Sequence, residues 1–108
     1  QIGSAAFELL LTGRHVPAQE AKEIGLIGHV VADGTAVDKA VELAEVIAGN
    51  APLSVQAVLR SLREGAEMTE ADALANELTL GWPIFATEDA KEGARAFKEK
   101  RPANFQGR

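Results

Sequence analysis

The 108-residue sequence predicts a mainly α-helical chain with five or six short helices and one extended segment. Apolar residues recur at helical spacing in successive stretches, and proline, threonine and glycine mark where several of these stretches begin or end. The aromatic content is low, with four Phe, one Trp and no Tyr, and alanine is abundant. A core made of small and aliphatic side chains favours close helix packing over a β-sandwich.

Two short helices and an extended segment are predicted in the first third of the chain. Residues 4–11 place apolar side chains at helical spacing, and Gly13 follows as a stop signal. Pro17 opens a second short helix. Residues 26–31 are rich in aliphatic and β-branched residues, which predicts one short strand or an extended connector. A strand would need a partner that this sequence does not offer, so we expect the chain to be part of a longer protein.

Three further helices are predicted between residues 35 and 83 from their start signals. Thr35 with Asp38, and Thr69 with Asp72, have the spacing of a capping box in which Asp replaces Glu. Pro52 stands at a first helical position. An apolar stripe follows each signal. We expect apolar side chains of the last of these stripes and of the final helix to leave exposed patches on a monomer, namely Leu74, Leu78, Trp82 and Phe97.

The last predicted helix begins after Thr87, a plausible N-cap, and ends at Pro102. The final eighteen residues carry a net charge of about +4, whereas the first ninety carry about −9. Such a division of sign indicates an anionic ligand or an acidic partner surface, although cations are also favoured at any helix carboxyl end. Six of the eleven basic residues lie in this ending: Lys91, Arg95, Lys98, Lys100, Arg101 and Arg108.

Recognisable catalytic and metal-binding patterns are missing from the sequence. His15 and His29 have no partners at the spacing of a triad or metal site, so we expect structural or exposed roles for both. Carboxylate pairs such as Glu20 with Glu23 are interpreted as solvated helix faces. The glycines match no phosphate-binding loop, and the absence of cysteine excludes disulfides and fits a reducing compartment. We predict no catalytic residue and no metal ligand in this chain.

Nucleic-acid and membrane partners are not expected either. The isoelectric point is near 5.0 and no aromatic platform is interleaved with the basic residues. No apolar run approaches the roughly 20 residues that span a bilayer, and the amino end lacks the pattern of a signal peptide. We therefore expect a soluble, cytoplasmic protein.

Two long motifs resemble one enzyme superfamily. LLLTGRHVPAQEAKEIGLIGHVV begins at Leu9, and FATEDAKEGARAFKEKRPANF begins at Phe85. Together with the helix that leads to Asn50 and Pro52, they resemble the carboxyl-terminal portion of the enoyl-CoA hydratase/isomerase, or crotonase, superfamily. The resemblance covers essentially the whole chain. It implies that residues 1–34 are the end of a spiral of ββα units and that residues 35–108 form a helical trimerisation region.

The resemblance also implies a function and a small set of binding residues. In the superfamily, an oxyanion hole and glutamates act on an acyl-CoA thioester, and these elements lie upstream of the part matched here. Residues matching Phe97 and Lys100 approach a neighbouring subunit's coenzyme A, the ring near adenine and the ammonium near phosphate. Phe85 would form core or shape the acyl end of the pocket, with core favoured. The Trp82-Pro83 step departs from the uninterrupted helix usual in the family, which puts the geometry at that end in question.

Two classes of function follow from these observations. The first is the oligomerising, coenzyme-edge portion of a hydratase that adds water to trans-2-enoyl-CoA, with acyl-CoA as substrate, no tightly bound cofactor and a homotrimer or hexamer as assembly. Isomerase or acyl-CoA hydrolase chemistry in the complete protein is the near alternative. The second class is a non-catalytic helical oligomerisation module. For either class, we expect the isolated chain to be inactive.

Overall fold

The computed structural model describes residues 3–108, which fold into six α-helices and one 3₁₀ turn, with no β-strand in that range. The chain divides into two compact units, Gln1–Ala40 and Val41–Arg108, which are described separately below. The helices are α1 (Gly3–Thr12), α2 (Ala18–Glu23), α3 (Ala36–Ala48), α4 (Pro52–Gly65), α5 (Glu70–Gly81) and α6 (Glu88–Glu99), with the 3₁₀ turn at Trp82–Ala86.

In the first unit, Arg14 joins α1 to α2 through two carboxylates. Its Nε donates to Glu8 at 2.8 Å, and its Nη2 donates to Glu20 at 2.5 Å. These contacts raise the pKa of Arg14 and lower the pKa of Glu20, in each case mainly through the hydrogen bond between the two side chains. Glu20 is therefore ion-paired at the helix surface, where its side chain is still 36% exposed.

The segment at residues 26–31 forms no strand, so of the two forms predicted for it the connector is the one observed. The backbone N–H groups of Leu26 and Ile27 donate to the carbonyl oxygen of Ala21, at 2.8 and 3.3 Å. These bonds close the carboxyl end of α2 instead of pairing with another extended segment. A strand is stable only beside a partner, and residues 3–108 supply none.

The helix starts in the second unit follow the predicted signals. Pro52 is the first residue of α4. The hydroxyl of Thr69 accepts from the N–H of Asp72 at 3.2 Å and donates to the Asp72 carboxylate at 2.8 Å. The hydroxyl of Thr87 accepts from the N–H of Ala90 at 3.1 Å. Each bond satisfies an N–H that has no partner inside its own helix.

The helices α4 and α5 pack against each other, and a polar contact crosses between them. The Asn76 amide donates to Glu64 at 2.8 Å, while Arg60 donates to the same carboxylate from one turn earlier at 2.6 Å. The pKa of Glu64 is lowered, first by Arg60 and then by Asn76. The polar groups between these helices therefore have partners within the unit.

The apolar side chains are much less completely buried than the polar groups are hydrogen-bonded. Only Ala21, Asp89 and Ala96 are buried among the described residues, and none of them is a large apolar side chain. Core residues of globular proteins are usually large and aliphatic or aromatic, so this pattern is unusual. Several large side chains of the second unit are at least half exposed: Val46, Ile47, Val58, Leu62, Leu74, Leu78, Trp82, Phe85 and Phe97.

Candidate functional site

The carboxyl end of α6 is an unusual helix terminus, because a lysine occupies the left-handed position that glycine normally takes. Lys100 has φ 53° and ψ 42°, and it is the only non-glycine residue with positive φ among residues 3–108. Its N–H donates to Phe97 O at 3.3 Å, and the N–H of Arg101 donates to Ala96 O at 3.1 Å. This pair of bonds is a Schellman motif. The helix therefore ends at Glu99, and Pro102 follows within the distance at which proline normally marks a helix end.

A left-handed conformation costs an L-residue about 1 kcal/mol relative to glycine. Lys100 thus gives up some stability that glycine would provide at the same place. Backbone strain of this kind concentrates at functional sites, where surrounding contacts hold the residue in place. The conformation supports a functional role for this lysine. Its charge alone would not distinguish it from an ordinary cation at a helix end.

The next residue, Arg101, fixes the turn through two carboxylates. Its two terminal nitrogens donate to the two oxygens of Glu92 at 2.6 and 3.0 Å, and its Nε donates to Glu99 at 2.6 Å. The contact with Arg101 lowers the pKa of Glu92 to about 2, helped by a hydrogen bond from the backbone N–H of Asn104. Bidentate contacts between an arginine and a carboxylate are geometrically specific. The direction of the chain after α6 is therefore defined.

Residues 103–108, which we call the tail, run back along α6 and are held by Asp89. This carboxylate is only 2% exposed and accepts from the backbone N–H groups of Gln106 and Gly107, both at 2.7 Å. The N–H of Asp89 donates to Arg108 O at 2.9 Å. This role of Asp89 has no signal in the sequence of the final helix. Its partners lie seventeen and eighteen residues later, and only the first-turn position of Asp89 is visible in the local pattern.

An aromatic contact accompanies these bonds. The ring of Phe105 lies over Gly93, so that a Cβ added at Gly93 would be 3.6 Å from the nearest ring carbon. Glycine inside a helix costs stability, and one reason to place it there is close approach of another group. The tail is thus attached to α6 by both polar and apolar contacts.

Both predicted coenzyme-binding residues lie at this end of α6 and face solvent. The Phe97 side chain is 87% exposed, and Lys100 is also exposed. Lys91 is paired with Glu88 at 2.7 Å, so the six basic residues of the ending are not all available to an anionic ligand. Four basic residues of the ending form no ion pair within residues 3–108: Arg95, Lys98, Lys100 and Arg108.

An open apolar groove of about 1130 Å³ lies between α4, α5, the 3₁₀ turn and α6. Its walls include Leu78, Trp82 and Phe85, and the rings of Trp82 and Phe85 are 5.9 Å apart between centroids. Phe85 is 75% exposed within residues 3–108 and lines this groove. The exposed apolar patches predicted for Leu74, Leu78, Trp82 and Phe97 are present.

No catalytic constellation accompanies these surfaces in the part of the chain that the structure describes. His15 and His29 are both exposed. Residues 3–108 contain no group of three or more His, Cys, Asp or Glu placed to hold a metal ion. Among the same residues, no helix is both long enough and apolar enough to cross a bilayer. The distinctive features are the end of α6 and the groove.

Comparison with known proteins identifies the family. The family model described as Enoyl-CoA hydratase/isomerase matches residues 1–108. The chain belongs to this family. The superfamily suggested by the two long motifs is therefore confirmed.

Curated relatives agree with this assignment. Enoyl-CoA hydratase EchA19 of Mycobacterium tuberculosis is 58% identical over 103 residues, which are 95% of this chain and 39% of that protein. The 2,3-dehydroadipyl-CoA hydratase of Escherichia coli is 36% identical over 97% of this chain and 41% of its own length. The chain thus spans about two fifths of the length of these relatives.

Solved structures show the same relationship in three dimensions. An enoyl-CoA hydratase from Bacillus anthracis superposes with a TM-score of 0.93 at 38% identity, over 97% of this chain and 41% of that one. An enoyl-CoA hydratase from Mycobacterium tuberculosis H37Rv gives 0.92 at 40% identity, over 97% and 42%. The predicted fold class, a mainly helical chain that matches part of a crotonase-fold protein, is confirmed.

Proposed function

We propose that the chain is the carboxyl-terminal portion of an enzyme that adds water to trans-2-enoyl-CoA thioesters. Family membership and hydratase relatives support hydratase-like function in acyl-CoA metabolism. In this proposal, residues 1–34 end the spiral core and residues 35–108 form the trimerisation region. Coenzyme A thioester is the substrate and no cofactor is tightly bound.

The end of α6 supplies the edge of the coenzyme site, and the conformation of Lys100 is the observation that carries this assignment. An exposed ammonium in a costly left-handed turn suits contact with phosphate, and the exposed Phe97 ring three residues earlier suits stacking on adenine. Arg101 is a weaker candidate for the phosphate, because its guanidinium is already occupied by Glu92 and Glu99.

The apolar groove and neighbouring faces supply contacts between subunits of a homotrimer or hexamer. Groups such as Leu78 and Trp82 would bury apolar surface on association, at about 25 cal/mol per Å². A non-catalytic oligomerisation module is the second candidate, and the same exposed faces favour it. An isomerase or acyl-CoA hydrolase would share this portion and differ upstream.

Hydration of crotonyl-CoA separates these candidates. The full-length gene product should convert crotonyl-CoA to the 3-hydroxyacyl thioester, whereas residues 1–108 alone should show no turnover, because we find no catalytic constellation within residues 3–108. Turnover by residues 1–108 would overturn the view that catalysis lies upstream. A full-length product that assembles but does not hydrate crotonyl-CoA would contradict the hydratase proposal.

A further inference from the structure

The position of Lys100 depends on contacts that Lys100 itself does not make. Its side chain forms no ion pair within residues 3–108, and its backbone conformation is one that lysine seldom adopts. A strained backbone persists only where its surroundings over-determine it. The groups that hold the turn are therefore part of any site that uses this lysine.

Glu92 is the central group that holds the turn, because its carboxylate binds both Arg101, directly after Lys100, and the backbone of Asn104. It receives Arg101 through two hydrogen bonds and the N–H of Asn104 through a third, at 2.6, 3.0 and 3.0 Å. Its side chain is 17% exposed, so solvent weakens these contacts less than it would at an open surface. Arg101 adds a bond to the carbonyl oxygen of Pro102 at 3.0 Å. The residues that flank Lys100 on its carboxyl side are thus tied to the body of α6.

We propose that Glu92 and Arg101 are positioning residues for the coenzyme site, acting by holding the turn that aims Lys100 at a phosphate of coenzyme A. This inference rests on the proposed function, since it requires that Lys100 bind the coenzyme. It adds Glu92 and Arg101 to the coenzyme site as residues that do not themselves touch the ligand. Arg101 acts through Lys100 because its own donors are directed at carboxylates.

The direction in which Glu92→Gln changes the affinity for coenzyme A separates a positioning role from a general electrostatic effect. Removing a negative charge near a phosphate site should strengthen binding of an anion if only the local field matters. If Glu92 holds the turn, the same substitution should weaken binding, because glutamine loses the charge-assisted contact with Arg101. The amide oxygen of glutamine can still accept from Asn104, so the tail keeps that bond.

Titration of the full-length gene product with coenzyme A gives the test. We expect Lys100→Gln to weaken binding about tenfold and Glu92→Gln about threefold, from the usual strength of such contacts. Glu88→Gln is the matched control, since it removes one negative charge from the same helix outside the turn, and it should leave affinity the same or slightly tighter. In steady-state hydration, Glu92→Gln should raise the KM for crotonyl-CoA and leave kcat nearly unchanged.

Non-additivity distinguishes a positioning role from a merely structural one. On the Lys100→Gln background, Glu92→Gln should have no further effect on affinity, because the group that it positions is already gone. Arg101→Lys keeps the charge but loses the two-pronged contact, and it should also weaken binding about threefold. It provides the same test if Glu92→Gln does not fold.

The outcomes separate the two levels of the proposal. The positioning role is overturned, while the coenzyme site stands, if Lys100→Gln weakens binding but Glu92→Gln and Arg101→Lys do not. It is also overturned if Glu92→Gln and Arg101→Lys weaken binding as much on the Lys100→Gln background as they do alone. If Lys100→Gln leaves affinity unchanged, the coenzyme contact itself is overturned.

Discussion

The tail of the second unit and its apolar groove differ in how far the chain satisfies them by itself. The N–H groups of the tail find carboxylate partners on α6, within the unit: Asp89 accepts from Gln106 and Gly107, and Glu92 accepts from Asn104. The groove leaves Leu78, Trp82 and Phe85 mostly exposed. The polar contacts of the tail are therefore complete within this unit, whereas the apolar burial at the groove is not. Incomplete apolar burial on this scale is typical of a surface that another protein surface covers.

Among substitutions that affect the tail, we expect the largest loss of stability at Asp89. Asp89→Ala leaves two backbone N–H groups without their charged acceptor, and we expect it to lower the free energy of unfolding by about 3 kcal/mol. Urea unfolding measures the change. Glu88→Ala, at the exposed neighbouring position, should cost less than about 1 kcal/mol. Equal losses for the two variants would mean that the buried contacts do not hold the tail.

A substitution in the groove should weaken subunit association rather than folding stability. Leu78→Gln removes an apolar side chain that is 68% exposed within residues 3–108, so residues 1–108 should lose little folding stability while their self-association weakens about tenfold or more. Sedimentation at several concentrations measures the association. The adjacent Thr79→Gln, outside the groove, is the control. Association that is unchanged in Leu78→Gln would exclude the groove as a subunit contact.

Lys100 allows the stability and function of the same turn to be separated. Lys100→Gly should raise the free energy of unfolding by about 1 kcal/mol, because glycine adopts the left-handed conformation without strain. Thermal unfolding measures this change, and coenzyme A affinity should fall in the same variant. Lys98→Gly removes the same charge inside α6 and should instead cost about 1 kcal/mol. Destabilisation by Lys100→Gly would contradict the left-handed assignment.

The contact between Glu92 and Arg101 also predicts a response to acid. The pKa of Glu92 is lowered from 4.5 to about 2 in the folded protein, so its contribution to stability is fully present above about pH 4.5. That contribution is lost as the pH falls through about 2. An NMR titration of the Glu92 carboxylate measures the transition. A midpoint near 4.5 would show that Arg101 does not hold it.

The parts of this fold that the sequence predicted are those governed by neighbouring residues. Thr69 and Thr87 cap the helices that their spacing indicated, because the bonded N–H groups lie three residues away. The role of Asp89 was not predictable in this way, because its partners depend on how the tail returns along α6.

The candidate site shows the same division. The family resemblance selected Phe97 and Lys100, and the structure places both at one exposed helix end, but their contact with the coenzyme stays a proposal. The left-handed turn at Lys100 had no sequence signal, since glycine is the residue that usually marks it. The expected stop at Pro102 followed local propensity, whereas the bonds made by Lys100 and Arg101 end the helix earlier.

Hydrogen exchange of the full-length gene product, compared between dissociated and assembled subunits, tests the contrast between tail and groove most directly. We expect the N–H groups of Asn104, Gln106 and Gly107 to be equally protected in both states, because their acceptors belong to the same chain and lie away from the groove. The N–H groups of α4 and α5 already have acceptors within their own helices, and we expect them to gain further protection on assembly because the groove beside them is covered. Tail N–H groups that exchange freely until the subunits assemble would contradict the contrast between tail and groove.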